Sequence, residues 1–230
     1  MSHKACRRAL VTGATRGIGL AIAKKLIEQG CEVLSTGTQK NPKTAVGSDY
    51  QQVDFTNDVS TKNFLSFLRN NNFDILVNNA GIMQPVAVDD GDFNEKGLDL
   101  MWSVNVKAPL SMTCLALPHL RKSGAGRVIN VASLAGKAVF GNGVGYSMTK
   151  FAAVALSHAT RHGGWADGVR CTALCPGYVA TDLTSSIESV SMDDMISADD
   201  LAELVNTIIS LSNTASVAEL IVNCRPDLVG

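Results

Sequence analysis

Tyr146 and Lys150 stand four residues apart in the run Tyr146-Ser147-Met148-Thr149-Lys150, with Ser133 upstream. On a helix, residues at that spacing share one face, so an ammonium would sit beside a phenol. A free phenol ionises near pH 10, and making it useful for proton transfer near neutrality takes about 4 kcal/mol of differential stabilisation. A neighbouring cation supplies part of that by favouring the phenolate. The same spacing is common on plain amphipathic helices, so the chemistry depends on what else the chain brings to the pair.

The elements that must position these residues can be read from apolar patterning. Ala9–Val11 is a short apolar run ending at Thr12-Gly13, and Ile18–Glu28 turns helical until Gly30. Further strands are predicted at Glu32–Thr36, Tyr50–Val53, Asp74–Val77, Arg127–Ala132, Val169–Leu174 and Glu219–Asn223. Helices are predicted at Asp58–Leu68, Leu98–Leu120, Tyr146–Arg161 and Ala198–Leu211, with Pro109 marking a kink or a first turn in the second of these. Continuous apolar strands spaced by helices predict an α/β, Rossmann-type, doubly wound parallel sheet of about seven strands, covered on both faces. A chain of 230 residues is read as one domain. Its polar segment 182–200 is read as a short, mobile, substrate-covering loop.

Thr12-Gly13-Ala14-Thr15-Arg16-Gly17-Ile18-Gly19 lies between the first strand and the first helix. Glycines there permit a tight turn and close approach to a pyrophosphate, whose charge a helix N-terminus favours. The spacing G-x-x-x-G-x-G in a strand–turn–helix context predicts dinucleotide binding by Gly13, Thr15, Arg16, Gly17, Ile18 and Gly19; the alternative is a turn that only packs helix on strand. At the end of the second strand, Thr36-Gly37-Thr38 offers no carboxylate to exclude a ribose 2′-phosphate, and Arg16, Lys40 and Lys43 offer cations to meet one. NADP(H) is therefore expected over NAD(H), with Thr36 and Thr38 at the ribose. Asp54 and Phe55 are placed at the adenine, although Asp54 could instead cap the helix that begins near Asn57.

With 18% charged residues and a net charge of −1, the chain gives no electrostatic reason to expect nucleic acid or an anionic membrane as a partner. Six scattered cysteines without a C-x-x-C pair or a His or acidic cluster argue against a metal site and for a reducing compartment. No long apolar run precedes the glycine turn and no stretch is long enough to span a bilayer, so a cytoplasmic protein is expected. His119, His158 and His162 lack acidic partners at a useful helical spacing and are read as surface residues.

On these residues the chain resembles the short-chain dehydrogenase/reductase family, in its compact single-domain branch. The resemblance is carried by Thr12–Gly19, Asn78-Asn79-Ala80-Gly81, Asn105, Ser133, Tyr146, Lys150, and Pro176-Gly177 with Thr181. The first half of the sheet and Thr36-Gly37-Thr38 are similar to bacterial 3-oxoacyl-carrier-protein reductases. The resemblance implies hydride exchange between a nicotinamide and a carbonyl or alcohol carbon. Tyr146 would be the general acid in reduction and the base in oxidation, and Ser133 would hold the substrate oxygen. Lys150 would bind the nicotinamide ribose and lower the tyrosine pKa, while Asn105 would position a water linking Lys150 to solvent. Asn78, Ala80 and Gly81 would run along the adenine-ribose side, and Pro176, Gly177, Val179 and Thr181 would line the nicotinamide. Read from the residues alone, Asn105 could equally bridge backbone groups in a kinked helix.

A departure stands at Ile221-Val222-Asn223-Cys224-Arg225-Pro226, where the family commonly has a last strand followed by Gly-Gly that docks on neighbouring subunits. A homodimer on the two long helices or a homotetramer is expected. The substrate is read as a small-molecule or carrier-bound carbonyl compound, its apolar pocket drawn from Val86, Val88, Leu134, Val139, Phe140, Tyr178, Ile187, Met192 and Met195. Arg121, Lys122, Arg127 and Arg161 are candidates for a basic patch at the mouth that would receive an acyl carrier protein. An NAD-dependent alcohol dehydrogenase, a nucleotide-sugar epimerase or dehydratase and a non-catalytic NADP-binding regulator are the alternatives.

Overall fold

In the computed structural model, which describes residues 6–89, 91–185 and 187–225, the apolar runs become seven strands. They are β1 (Arg8–Val11), β2 (Glu32–Gly37), β3 (Asp49–Gln52), β4 (Ile75–Asn78), β5 (Arg127–Val131), β6 (Arg170–Pro176) and β7 (Glu219–Val222). Every pairing is parallel, in the order β3-β2-β1-β4-β5-β6-β7. The chain moves outward from β1 through β2 to β3, then returns to place β4 on the other side of β1. That reversal opens a crevice at the carboxyl ends of β1 and β4.

Alternate residues along each strand face opposite sides of the sheet. Ala9, Val11, Ile75, Val77, Ile129 and Val131 pack with α1 (Gly17–Glu28) and α6 (Ala198–Ser210). Leu10, Leu76 and Val128 face the other way, toward α2 (Asp58–Leu68) and α4 (Ala108–Lys122). The long α5 (Val144–Gly164) covers that same second face, its Ser157 accepting a 2.8 Å hydrogen bond from Asn130 of β5. The predicted doubly wound sheet is thus what the chain forms.

The single helix expected over Leu98–Leu120 is interrupted. The chain runs α3 (Glu95–Trp102), one π turn (Ser103–Lys107) and then α4. Ala108 N–H reaches back to Ser103 O. Pro109 has no N–H to give the Asn105 carbonyl four residues earlier. Inserted π turns bulge a helix and re-aim the side chains they carry, and this one carries Asn105.

Segment 182–200, read from sequence as a mobile loop, is tied back at Ile196. Ile196 N–H donates to Tyr178 O and Ala180 N–H to Ile196 O, both at 3.0 Å. Val190, Met195 and Ile196 are buried, and α6 begins before the segment ends, at Ala198. Ser186, in the same segment, and Pro226, in the departure noted above, lie outside the described residues.

Candidate active site

Six strand ends, those of β1 to β6, build the site. Each stops at the same edge of the sheet, and the segment that follows each turns into one cleft of about 720 Å3, within the range of about 300–1,000 Å3 typical of small-molecule sites.

At the β1 end, Gly13 has φ 64°, a left-handed conformation that glycine adopts without strain. A Cβ there would sit 3.0 Å from Ala80 Cα, so the turn also needs glycine to lie against the β4 end. Asn79 locks the two together, donating from Nδ2 to Thr12 O at 2.8 Å and to Gly13 O at 3.1 Å. Thr12 Oγ1 accepts from both Asn79 N–H and Ala80 N–H. The result is a glycine-walled channel leading to the N-terminus of α1, where no acidic residue occupies the first turn. Such a cradle fits the phosphates of a dinucleotide.

Gly13, Thr15, Arg16, Gly17, Ile18, Thr36, Thr38, Asp54, Phe55, Ala80 and Gly81 all line the cleft, as do Pro176, Gly177, Val179 and Thr181. Four of the residues that the sequence pointed to fall elsewhere. Asn78 is buried beneath the sheet, donating to Asn130 Oδ1 at 2.8 Å and Thr113 Oγ1 at 3.1 Å. It shares strand parity with Leu76 and so faces α4 rather than the cleft. Gly19 lies under the turn, where a Cβ would collide with Asn79 Nδ2 and Gly13 O; its role is packing. Lys40 and Lys43 are exposed outside the cleft. Asp54 closes a turn with Thr56 N–H at 2.9 Å, and Asn57, not Asp54, caps α2. Asn79 is one lining residue that the assignments passed over, and the same period-two register that turns Asn78 away would have pointed to it.

At the other end of the cleft, Ser133 follows β5 and starts a short 3-10 turn (Leu134–Gly136). Its Oγ accepts from Ala135 N–H at 3.1 Å, leaving its own proton to donate. Gly136 lets this turn rest directly on α5, since a Cβ there would lie 2.6 Å from Lys150 O. That contact brings the Ser133 hydroxyl into the surroundings of the Tyr146 phenol. Tyr146 faces the cleft from the first turn of α5. Burial pushes its pKa up to about 12, opposed by the hydrogen bond from Ser133.

Lys150, one turn on, is buried, with Nζ 5.5 Å from the centroid of the Tyr146 ring. It donates to Val131 O at 2.8 Å, and burial pulls its pKa down to about 8. For the phenol, loss of solvation is the largest influence.

Asn105 hangs from the π turn behind this pair. Its Oδ1 accepts from Ile82 N–H at 2.9 Å, and its Nδ2 donates to Ile82 O at 2.9 Å and Thr149 Oγ1 at 3.0 Å. It bridges the backbone N–H and C=O of Ile82. A Cβ on Gly81 would lie 3.6 Å from both Asn105 Oδ1 and Lys150 Nζ, so the two groups flank one small space.

Other expectations change. His158 has an acidic partner after all, Glu219 Oε1 of β7 at 2.7 Å, and Lys137 Nζ meets Glu219 Oε2 at 2.6 Å. Of the apolar pocket, Val86, Leu134, Phe140, Tyr178 and Ile187 line the cleft, whereas Val88, Val139, Met192 and Met195 do not. Arg127 opens β5, at the opposite edge of the sheet from Ser133, and α4 and α5 carry Arg121, Lys122 and Arg161 at that same far end. No basic patch at the mouth can be assembled from them.

Residues 7–191 match the family model of the short chain dehydrogenases. The chain belongs to that family of oxidoreductases, whose members use nicotinamide cofactors. An agropine synthesis reductase of Rhizobium rhizogenes is 36% identical over 228 residues, covering 96% of this chain and 53% of that protein. The chain thus spans about half the length of that relative. Among solved structures, an alcohol dehydrogenase from the archaeon Thermococcus sibiricus complexed with 5-hydroxy-NADP superposes with TM-score 0.81 at 26% identity, covering 94% of this chain and 96% of that one. An actinorhodin polyketide ketoreductase with NADPH gives TM-score 0.80 at 25% identity, covering 97% of each.

Proposed function

We propose that this protein is an NADP(H)-dependent reductase of a ketone or aldehyde, working through Tyr146. The observation that carries the reading is the convergence of the Ser133 hydroxyl, the Tyr146 phenol and the Lys150 ammonium at one end of a cleft whose other end is the glycine turn.

The cofactor, when bound, supplies a hydride to the carbonyl carbon. Ser133 donates a hydrogen bond to the carbonyl oxygen and polarises it. Tyr146 gives its phenolic proton to that oxygen as negative charge develops there, so C=O becomes CH–OH. A phenol at about 12 is fully protonated at neutral pH, the state that a general acid needs and a general base does not. Reduction takes up a proton and oxidation releases one, so alcohol oxidation should rise with pH. Lys150 keeps two N–H donors beyond its bond to Val131 O, available for the cofactor ribose and for a proton relayed past Asn105.

NADP(H) over NAD(H) is supported by Arg16 in the cleft wall and by Thr36-Gly37-Thr38 at the end of β2, where a discriminating carboxylate would otherwise stand. Agropine synthesis, named for the relative, is one setting for such a reduction. A homodimer is supported by an apolar groove between the π turn with α4 and α5, lined by Val106, Leu110, Ala152, Ala155, Leu156 and Ala159. Sedimentation that found only monomer at micromolar concentration would remove that assembly.

The activity is tested by following NADPH and NADH oxidation against a panel of ketones and aldehydes, with Tyr146→Phe as the control. The variant should keep NADPH binding and lose about 10²–10⁴-fold in kcat. Full activity in Tyr146→Phe would overturn the mechanism, and a preference for NADH would overturn the cofactor assignment alone.

A further inference from the structure

From the charges around the substrate end of the cleft, we infer that the substrate is an uncharged carbonyl compound with an apolar arm, and that the site discriminates against the matching carboxylate. This rests on the reductase reading above. Beyond Tyr146 the cleft is walled by Met83, Pro85, Val86, Leu134, Phe140 and Leu183. Met83, Phe140 and Leu183 are each more than 40% exposed, at 44%, 42% and 43%, so the mouth itself is apolar.

Among the described residues lining the cleft, no cation is placed to receive an acid there. The cations among them are Arg16 and Lys150. Arg16 lies at the glycine-turn end, 3.6 Å from Asp182 Oδ2. Lys150 is held beneath the phenol on Val131 O. Lys137, which follows the Ser133 turn, is directed to Glu219 of β7 at 2.6 Å and does not line the cleft.

The rim carries the opposite charge. Val88 N–H donates to Asn142 O at 3.2 Å. Asn142 Nδ2 lies 2.6 and 2.7 Å from the two Asp89 carboxylate oxygens. This places a carboxylate beside Gly143, which lines the cleft. A substrate carboxylate entering this space would shed water, find no positive partner and meet Asp89. The ester of the same skeleton would bury its arm without that cost.

The experiment uses a β-keto ester and the keto acid of the same chain length. Turnover with NADPH and calorimetric binding to the NADPH-loaded protein are both measured. The ester should be favoured by ~100-fold, the scale set by an unpaired charge losing its solvation. Met83→Arg, which adds a cation to the wall, should cut the ester-to-acid ratio at least ~10-fold.

An acid that binds as well as its ester, a ratio that Met83→Arg leaves unmoved, or binding of neither compound overturns the inference. Preferential binding of the ester without turnover of either compound would uphold the inference and overturn the reductase reading. Equal turnover of both compounds would do the reverse.

Discussion

Two buried cations sit at opposite edges of the same sheet, and they are used differently. Arg127, at the start of β5, donates from Nη1 to Gly126 O at 3.0 Å and Asn213 Oδ1 at 3.0 Å, and from Nη2 to Leu211 O at 2.6 Å. Arg170 beside it donates to Asn213 O, Trp165 O and Val169 O, and Arg7 to Ile209 O. Several of these carbonyls end helices, where cations are favoured. Lys150, at the other edge, makes one such bond, to Val131 O. Both groups have lowered pKa values because burial disfavours their charge, Arg127 to about 10 with Arg7 and Arg170 adding repulsion, and Lys150 to about 8. The difference lies in saturation. The arginine spends its donors on the fold, whereas the lysine holds donors open toward a cleft.

The largest stability effect should therefore come from the saturated cation. Arg127→Met would strip the bonds to Leu211 O, Gly126 O and Asn213 Oδ1 in a site closed to water, a loss on the order of 3 kcal/mol. Thermal denaturation should register it, while kcat per folded molecule stays within about twofold. An unchanged melting temperature would break the contrast at this end.

Lys150→Met should behave in the opposite way. It removes a buried charge with a single hydrogen bond, so the protein should gain about 1–3 kcal/mol at pH 7 while losing activity. The pH dependence gives a second readout. Lys150 has its folded pKa at about 8, below its ordinary 10.5. Between those values the unfolded chain binds more protons than the folded one, so stability contributed at this position rises with pH across that window. Tyr146 acts oppositely only above its ordinary 10.0, where the folded phenol at about 12 retains its proton. Denaturant titrations from pH 7 to 10 should show the rise in the wild type and lose it in Lys150→Met. A variant that is less stable at pH 7, with an unaltered slope, would show that Lys150 belongs with the structural arginines.

How far the sequence foretold this arrangement follows the same divide. Strand and helix bounds were legible because buried parallel strands are written as unbroken apolar runs. The placement of Tyr146 beside Lys150 was legible because helix periodicity puts residues four apart on one face. The π turn was not, since Pro109 signals an irregularity without saying whether the chain kinks or inserts a residue. Asn78 was assigned to the cleft and Asn79 left without a role, because neighbours at a strand end look alike until register says which faces the cleft. Arg127 was read as part of a basic patch at the mouth because a buried arginine satisfied by carbonyls leaves no patterned partner in sequence. The pairing of His158 with Glu219 was hidden for a related reason, as helix and strand meet only through the fold.

The smallest effect concerns a cation at the cleft whose partner is borrowed. Arg16 Nε lies 3.6 Å from Asp182 Oδ2, and both side chains are largely exposed, at 73% and 76%. Exposed pairs of this kind contribute little to stability, so this one does not belong with Arg127. If Arg16 receives the 2′-phosphate, Asp182 competes with that phosphate for the guanidinium. Arg16→Ala should then weaken NADPH binding by roughly tenfold while NADH changes by no more than about twofold. Asp182→Asn should tighten NADPH by at most about fivefold, the limit set by a surface pair, with added salt erasing the gain. Fluorescence titration of both nucleotides reads these differences. Equal losses for NADPH and NADH in Arg16→Ala would place this arginine with the fold, leaving Lys150 as the cleft's one open cation among the described residues.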